Sequence, residues 1–101
     1  MIKHIVMWTL KDEAEGRTKA ENAKKMKELL EALPGKVPGV IDLEVALGGI
    51  FDAVPATDIA LYTTFASKED LKTYAVHPEH QAVVAFIKSV AAERRVLDYE
   101  L

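Results

Sequence analysis

The chain has no cysteine. This excludes a disulfide framework, a thiolate nucleophile and any cysteine-based metal site, and agrees with a reducing compartment. Positive charge is not in surplus either: 13 Lys and Arg stand against 16 Asp and Glu, a net charge of −3. No stripe of Lys or Arg offsets that balance, so nucleic acid is not expected as a partner. No apolar run approaches transmembrane length, and no membrane partner is expected. The opening MIKHIVMWTL is too short and too polar for a signal peptide, lacks a small-residue cleavage site, and alternates like a strand. The expected location is therefore cytoplasmic. Glycine and proline number only 5 and 4, and no linker, repeat or low-complexity tract is visible. The expectation is one domain, residues 1–101, built around a single core.

Half of the residues are hydrophobic, and they are patterned. Residues 2–10 alternate, with Ile2, His4, Val6, Trp8 and Leu10 on one side and Lys3, Ile5, Met7 and Thr9 on the other. Both sets are largely apolar, as in a central strand covered on two faces. Lys11 to Gly16 is polar and is expected to be a loop. From about Arg17 to Leu33, a helical stripe of Ala20, Ala23, Met26, Leu29, Leu30 and Leu33 opposes a charged, solvated face. Pro34-Gly35 and Pro38-Gly39 mark turns. In residues 40–47, Ile41, Leu43, Val45 and Leu47 are expected inward and Asp42 and Glu44 outward, as on an edge strand. Residues 59–65 form another two-sided apolar strand, a broken helical segment follows, and Arg95 to Leu101 closes the chain as a strand.

The order is βαββαβ, which predicts an α+β, ferredoxin-like protomer with a four-stranded antiparallel sheet and helices on one face. In that topology the first and third strands are central, and the two-sided apolar pattern falls on those two. Two helical segments can cover only one sheet face. The other would expose Ile5, Met7, Ala60 and Tyr62, so a homodimer packed sheet to sheet is expected.

Candidate chemistry concentrates in Leu71 to Gln81, LKTYAVHPEHQ. Ser67-Lys68-Glu69-Asp70 reads as a helix start, with Ser67 as N-cap and Asp70 at N3 reaching back. Pro78 lacks an N–H and disfavours the helical conformation at His77, so the helix should break there and a second one begin. That break brings Tyr74, His77 and His80 together, whereas a straight helix would set 74 and 80 on nearly opposite sides. A histidine near neutral pKa can take a proton α to a ketone, and a tyrosine hydroxyl can donate to the enolate that develops. A zinc site of His4, His77 and His80 would have three neutral ligands without a cysteine or a committed acid, so no metal is expected.

The pieces Lys3-His4-Ile5-Val6, Leu33-Pro34 through Pro38-Gly39-Val40, Phe65-Ala66-Ser67, Tyr74-Ala75-Val76-His77-Pro78-Glu79-His80 and Asp98-Tyr99 span the chain. Together they resemble the stress-responsive A/B barrel domain (Dabb) family of dimeric α/β barrels. The resemblance implies two sheets closing a barrel with helices outside, and a pocket between sheet and helices. It also implies, from the family's polyketide cyclases, ring closure of a poly-β-ketone without metal or organic cofactor. In that chemistry Tyr74 and His80 stand as the acid–base pair, and His4 lines the same pocket. Val6, Trp8, Met26 and His77 are the further residues expected to line it or orient a ligand. The first helix departs from the cyclases, lacking their bulky aromatics and offering Met26 with small or charged residues.

Three functions are compatible with this reading. One is a cofactor-independent lyase or cyclase acting on a polyketide-like or β-dicarbonyl small molecule. The second is a non-catalytic stress-associated or ligand-binding dimer, and the third a cofactor-free monooxygenase.

Overall fold

The computed structural model describes residues 1–101. Strand β1, Ile2–Leu10, runs into a short hairpin, β2 (Glu13–Ala14) and β3 (Arg17–Thr18), and then into helix α1, Lys19–Glu31. A single 3-10 turn, Leu33–Gly35, leads to β4, Val40–Ala46, and β5, Ile59–Phe65. Helices α2, Lys68–Val76, and α3, Pro78–Val90, precede β6, Ala91–Glu100. The sheet order β4-β5-β1-β6 places β1 and β5 in the centre with antiparallel neighbours. This is a ferredoxin-like α+β fold. No helix is long and apolar enough to cross a membrane.

The alternation in β1 decides where the core lies. Ile2, His4, Val6, Trp8 and Leu10 are all buried under the helices, while the residues between them are only half buried. Ile59, Leu61 and Phe65 from β5 continue this layer, and Ala23, Met26, Leu30, Val83, Ile87 and Val90 close it from α1 and α3. The opposite sheet face is also apolar. Ile5 lies between Tyr62 and Leu97, and Met7 between Ala60 and Arg95, with no element covering them.

The structure departs from the sequence expectations at four places. Residues 11–16 are not a plain loop: Glu15 and Gly16 take φ of 54° and 72° and close the β2–β3 hairpin, a pair of left-handed residues that suits a tight turn. Consequently α1 starts at Lys19. Thr18 caps it, its hydroxyl accepting from the Glu21 amide at 3.2 Å while the Glu21 carboxylate accepts from the Thr18 amide at 3.0 Å. Ala20 is exposed at the helix start, and Asn22 takes the buried position, tying α1 to the hairpin through Ala14 O and the Arg17 guanidinium.

In β4, Val40 pairs with Phe65 but Asp42 already pairs with Thr64, so Ile41 is the extra residue of a bulge and is 54% exposed rather than inward. Lastly, β6 begins at Ala91, directly after α3, four residues before the expected start at Arg95. Ala-Ala-Glu-Arg-Arg favours helix locally, yet pairing with the far end of β1 draws it into the sheet. The Ser67 cap is half of the expected box: its hydroxyl accepts from the Asp70 amide at 3.2 Å.

Because the Thr18 box anchors α1, Thr18→Ala should cost about 1 kcal/mol. Differential scanning calorimetry should then show a melting midpoint lower by roughly 4–8 °C. A midpoint within a degree of the parent would mean that the box adds nothing.

Candidate active site

The break between α2 and α3 builds the site. Pro78 has no N–H to give to the Tyr74 carbonyl, which accepts from His77 N at 3.2 Å instead. The Glu79 amide turns to His77 Nδ1 at 3.1 Å, so His77 caps α3. The Ala75 carbonyl therefore loses its in-line helical partner. Two side chains take it up: His80 donates from Nδ1 at 3.1 Å, and Gln81 from Nε2 at 2.6 Å. That bond fixes the His80 tautomer. With Nδ1 protonated, neutral His80 keeps an unprotonated Nε2.

His80 stacks against Tyr74, ring centroids 4.2 Å apart and planes tilted by 41°. Phe65 backs Tyr74 at 5.1 Å, and His4 meets it edge-on at 6.5 Å. Tyr74 is buried, and its hydroxyl has no hydrogen-bond partner. Burial pushes its pKa up to about 12, so it remains a neutral donor. Burial also lowers the His80 pKa below its ordinary 6.5, the Ala75 bond opposes this, and the positive charges of His4, Arg94 and His77 add to the lowering. His80 is thus neutral at pH 7.

His4 pairs across the sheet with Asp98 of β6, and its Nδ1–H donates to the Asp98 carboxylate. The second imidazole is oriented in this way, with Nε2 left over.

These groups share a cavity of about 500 Å³ between the sheet and α3, within the range of small-ligand sites. His4, Val6, Trp8, Tyr74 and His80 all line it. Met26 and His77, expected in its wall, do not. Met26 is fully buried in the core beneath α1, and the His77 ring is turned away to cap α3. Asp98, Gln81, Lys88 and Arg94 were missed as wall residues. Asp98 follows from strand register and not from any local motif: β1 and β6 pair from Ile2↔Glu100, which sets His4 opposite Asp98. Arg94 follows from the same register, opposite Trp8. No group of three or more His, Asp or Glu side chains is placed to hold a metal ion.

A ferredoxin-like protomer with a Tyr–His-lined cavity between sheet and helices defines a class, and sequence comparison defines the family within it. The Stress responsive A/B Barrel Domain (Dabb) matches residues 2–101. The chain belongs to that family. A Bacteroides fragilis protein of unknown function, described as dimeric with a ferredoxin-like fold, is 35% identical over 99% of this chain and 95% of its own, with a TM-score of 0.84. A Dabb family protein from Mesorhizobium loti is 21% identical over 99% and 95%, TM-score 0.72. The hydroxynitrile lyase of Passiflora edulis shares the fold at 16% identity over 99% and 92%, TM-score 0.83. No functionally curated protein matches the chain.

Proposed function

We propose that the protein is a homodimeric, cofactor-independent lyase- or cyclase-type enzyme acting on a polyketide-like or β-dicarbonyl small molecule. The supporting observation is the juxtaposition, on one cavity, of a neutral Tyr74 hydroxyl without a partner and an adjacent His80 with a free Nε2. His80 Nε2 takes the proton from a carbon between two carbonyls. The C–H electron pair forms the enolate double bond and the carbonyl pair moves onto oxygen, which accepts a hydrogen bond from Tyr74. The nucleophilic carbon then attacks a second carbonyl of the same molecule, and the His80 imidazolium returns its proton to the alkoxide formed. His4, held by Asp98, orients the ligand. Dimerisation is supported by the uncovered apolar sheet face and by the dimeric description of the Bacteroides fragilis relative.

Deuterium exchange into the central methylene of acetylacetone, followed by NMR, tests the reaction. Exchange should rise above the buffer rate and saturate in acetylacetone. The active form is neutral His80, so the rate should be full at neutral pH and fall on acidification, with a midpoint below 6.5 because the His80 pKa is lowered. Exchange at the buffer rate at every pH sinks the catalytic reading and leaves a non-catalytic, ligand-binding dimer.

A further inference from the structure

We propose that the ligand carries a carboxylate as well as a carbonyl, and that Arg94, with Lys88 beside it, binds this carboxylate at the end of the cavity away from Asp98. The inference rests on the reading of Tyr74 and His80 as the carbonyl end.

The cavity is a slot with two chemically different ends. On β6, Asp98 lies opposite His4 and Arg94 opposite Trp8, four residues apart and therefore about 13 Å along the strand. On α3, Gln81 follows His80 directly, and Lys88 lies two turns further on, about 10 Å along the helix. Just past the end of β1, Lys11 N donates to Val90 O at 2.9 Å and sets the C-terminal end of α3 at the Trp8 end of β1. Lys88 and Arg94 thus belong to the same end. Val6, Val84, Ile87 and Val96 supply an apolar wall between the two ends.

Charge separates the ends further. The protein carries a net −3, yet the cavity wall contains a single carboxylate, Asp98, and His4 already occupies it. Arg94 and Lys88 take part in no ion pair, although Arg95, the next residue on the outer face, pairs with Glu93 at 3.4 Å. Trp8 in the same wall adds an indole N–H that is buried without a partner. The Trp8 end therefore carries the exposed cations Arg94 and Lys88, with no free acid in the wall to answer them. Two cations at the rim of a slot without a free acid favour an oxyanion, and a guanidinium fork fits a carboxylate with two parallel hydrogen bonds. The apolar stretch between the ends suits a hydrocarbon chain, which makes the ligand a medium-chain keto acid with its two functions well apart.

Isothermal titration with 7-oxooctanoate and with its methyl ester tests this. The intact protein should bind the acid about tenfold to a hundredfold more tightly than the ester, the size of a charge-assisted hydrogen bond. Arg94→Gln, a change on an exposed edge strand, should abolish that preference, and Lys88→Gln should reduce it. Equal affinity for acid and ester, an undiminished preference in Arg94→Gln, or no binding of either compound overturns the proposal. Failure of the catalytic reading shows separately, as absent exchange with acetylacetone, which has no carboxylate.

Discussion

His80→Gln should lower the acetylacetone exchange rate by about a hundredfold or more, the usual contribution of a general base. Glutamine can still hydrogen-bond the Ala75 carbonyl that the Pro78 break leaves open, so the α2–α3 junction should survive. What disappears is the basic Nε2. The loss should appear in kcat more than in ligand affinity, because proton removal is a transition-state contribution. Tyr74→Phe makes a complementary change: the ring against Phe65 and His80 is kept and only the unpartnered hydroxyl goes. Removing a buried donor that has no protein partner should leave the thermal midpoint level or slightly raised. The same change should cost the reaction about tenfold or more through lost enolate stabilisation. Exchange kinetics and a melt on both variants decide the matter. Wild-type rates in His80→Gln would remove it from the reaction.

The second large effect concerns assembly. Ile5 lies at the centre of the uncovered sheet face, between Tyr62 and Leu97. An aspartate there is only half buried in a lone protomer but buried in a sheet-to-sheet dimer, with no cation directly opposite it on either neighbouring strand. Such a charge costs about 3–5 kcal/mol, which raises the dissociation constant at least about a hundredfold. Met7 is a weaker place for the same change, because Arg95 lies directly opposite and could pair with the new acid. Sedimentation at micromolar concentration should show a dimer for the parent and a folded monomer for Ile5→Asp. A monomeric parent, or an undisturbed dimer in the variant, contradicts the proposed interface.

The fold was legible because periodicity and topology agreed. Two-sided apolar strands at 2–10 and 59–65 occupy the centre of the sheet, and the Pro78 break lies where the missing N–H demands it. The misreadings share a physical origin. At Ala91–Arg94 local helix preference lost to strand pairing, and at Ile41 a bulge shifted a side chain that strict alternation would have buried. Glu15 and Gly16 formed a hairpin because the left-handed turn could be built there, which composition alone did not reveal.

At the site, Tyr74 and His80 could be paired from the break alone, whereas the partners of each imidazole could not. The Ala75 carbonyl becomes available to His80 only through the detailed hydrogen-bond exchange around Pro78, in which His77 is drawn away to cap α3. Asp98 meets His4 across a sequence separation of 94 residues, a contact that depends on strand register. Met26 followed the helical stripe correctly, but the stripe faces the core and not the cavity.

The central claim is that His80 is held as a neutral base, with Nδ1–H on the Ala75 carbonyl and Nε2 free for a carbonyl ligand. Imidazole nitrogen NMR on the ¹⁵N-labelled protein reports this tautomer directly. The account predicts a protonated Nδ1 and an unprotonated Nε2 for His80 at neutral pH, titrating below 6.5, with the Nε2 signal moving when acetylacetone is added. The opposite tautomer, or an Nε2 signal indifferent to the ligand, would contradict it.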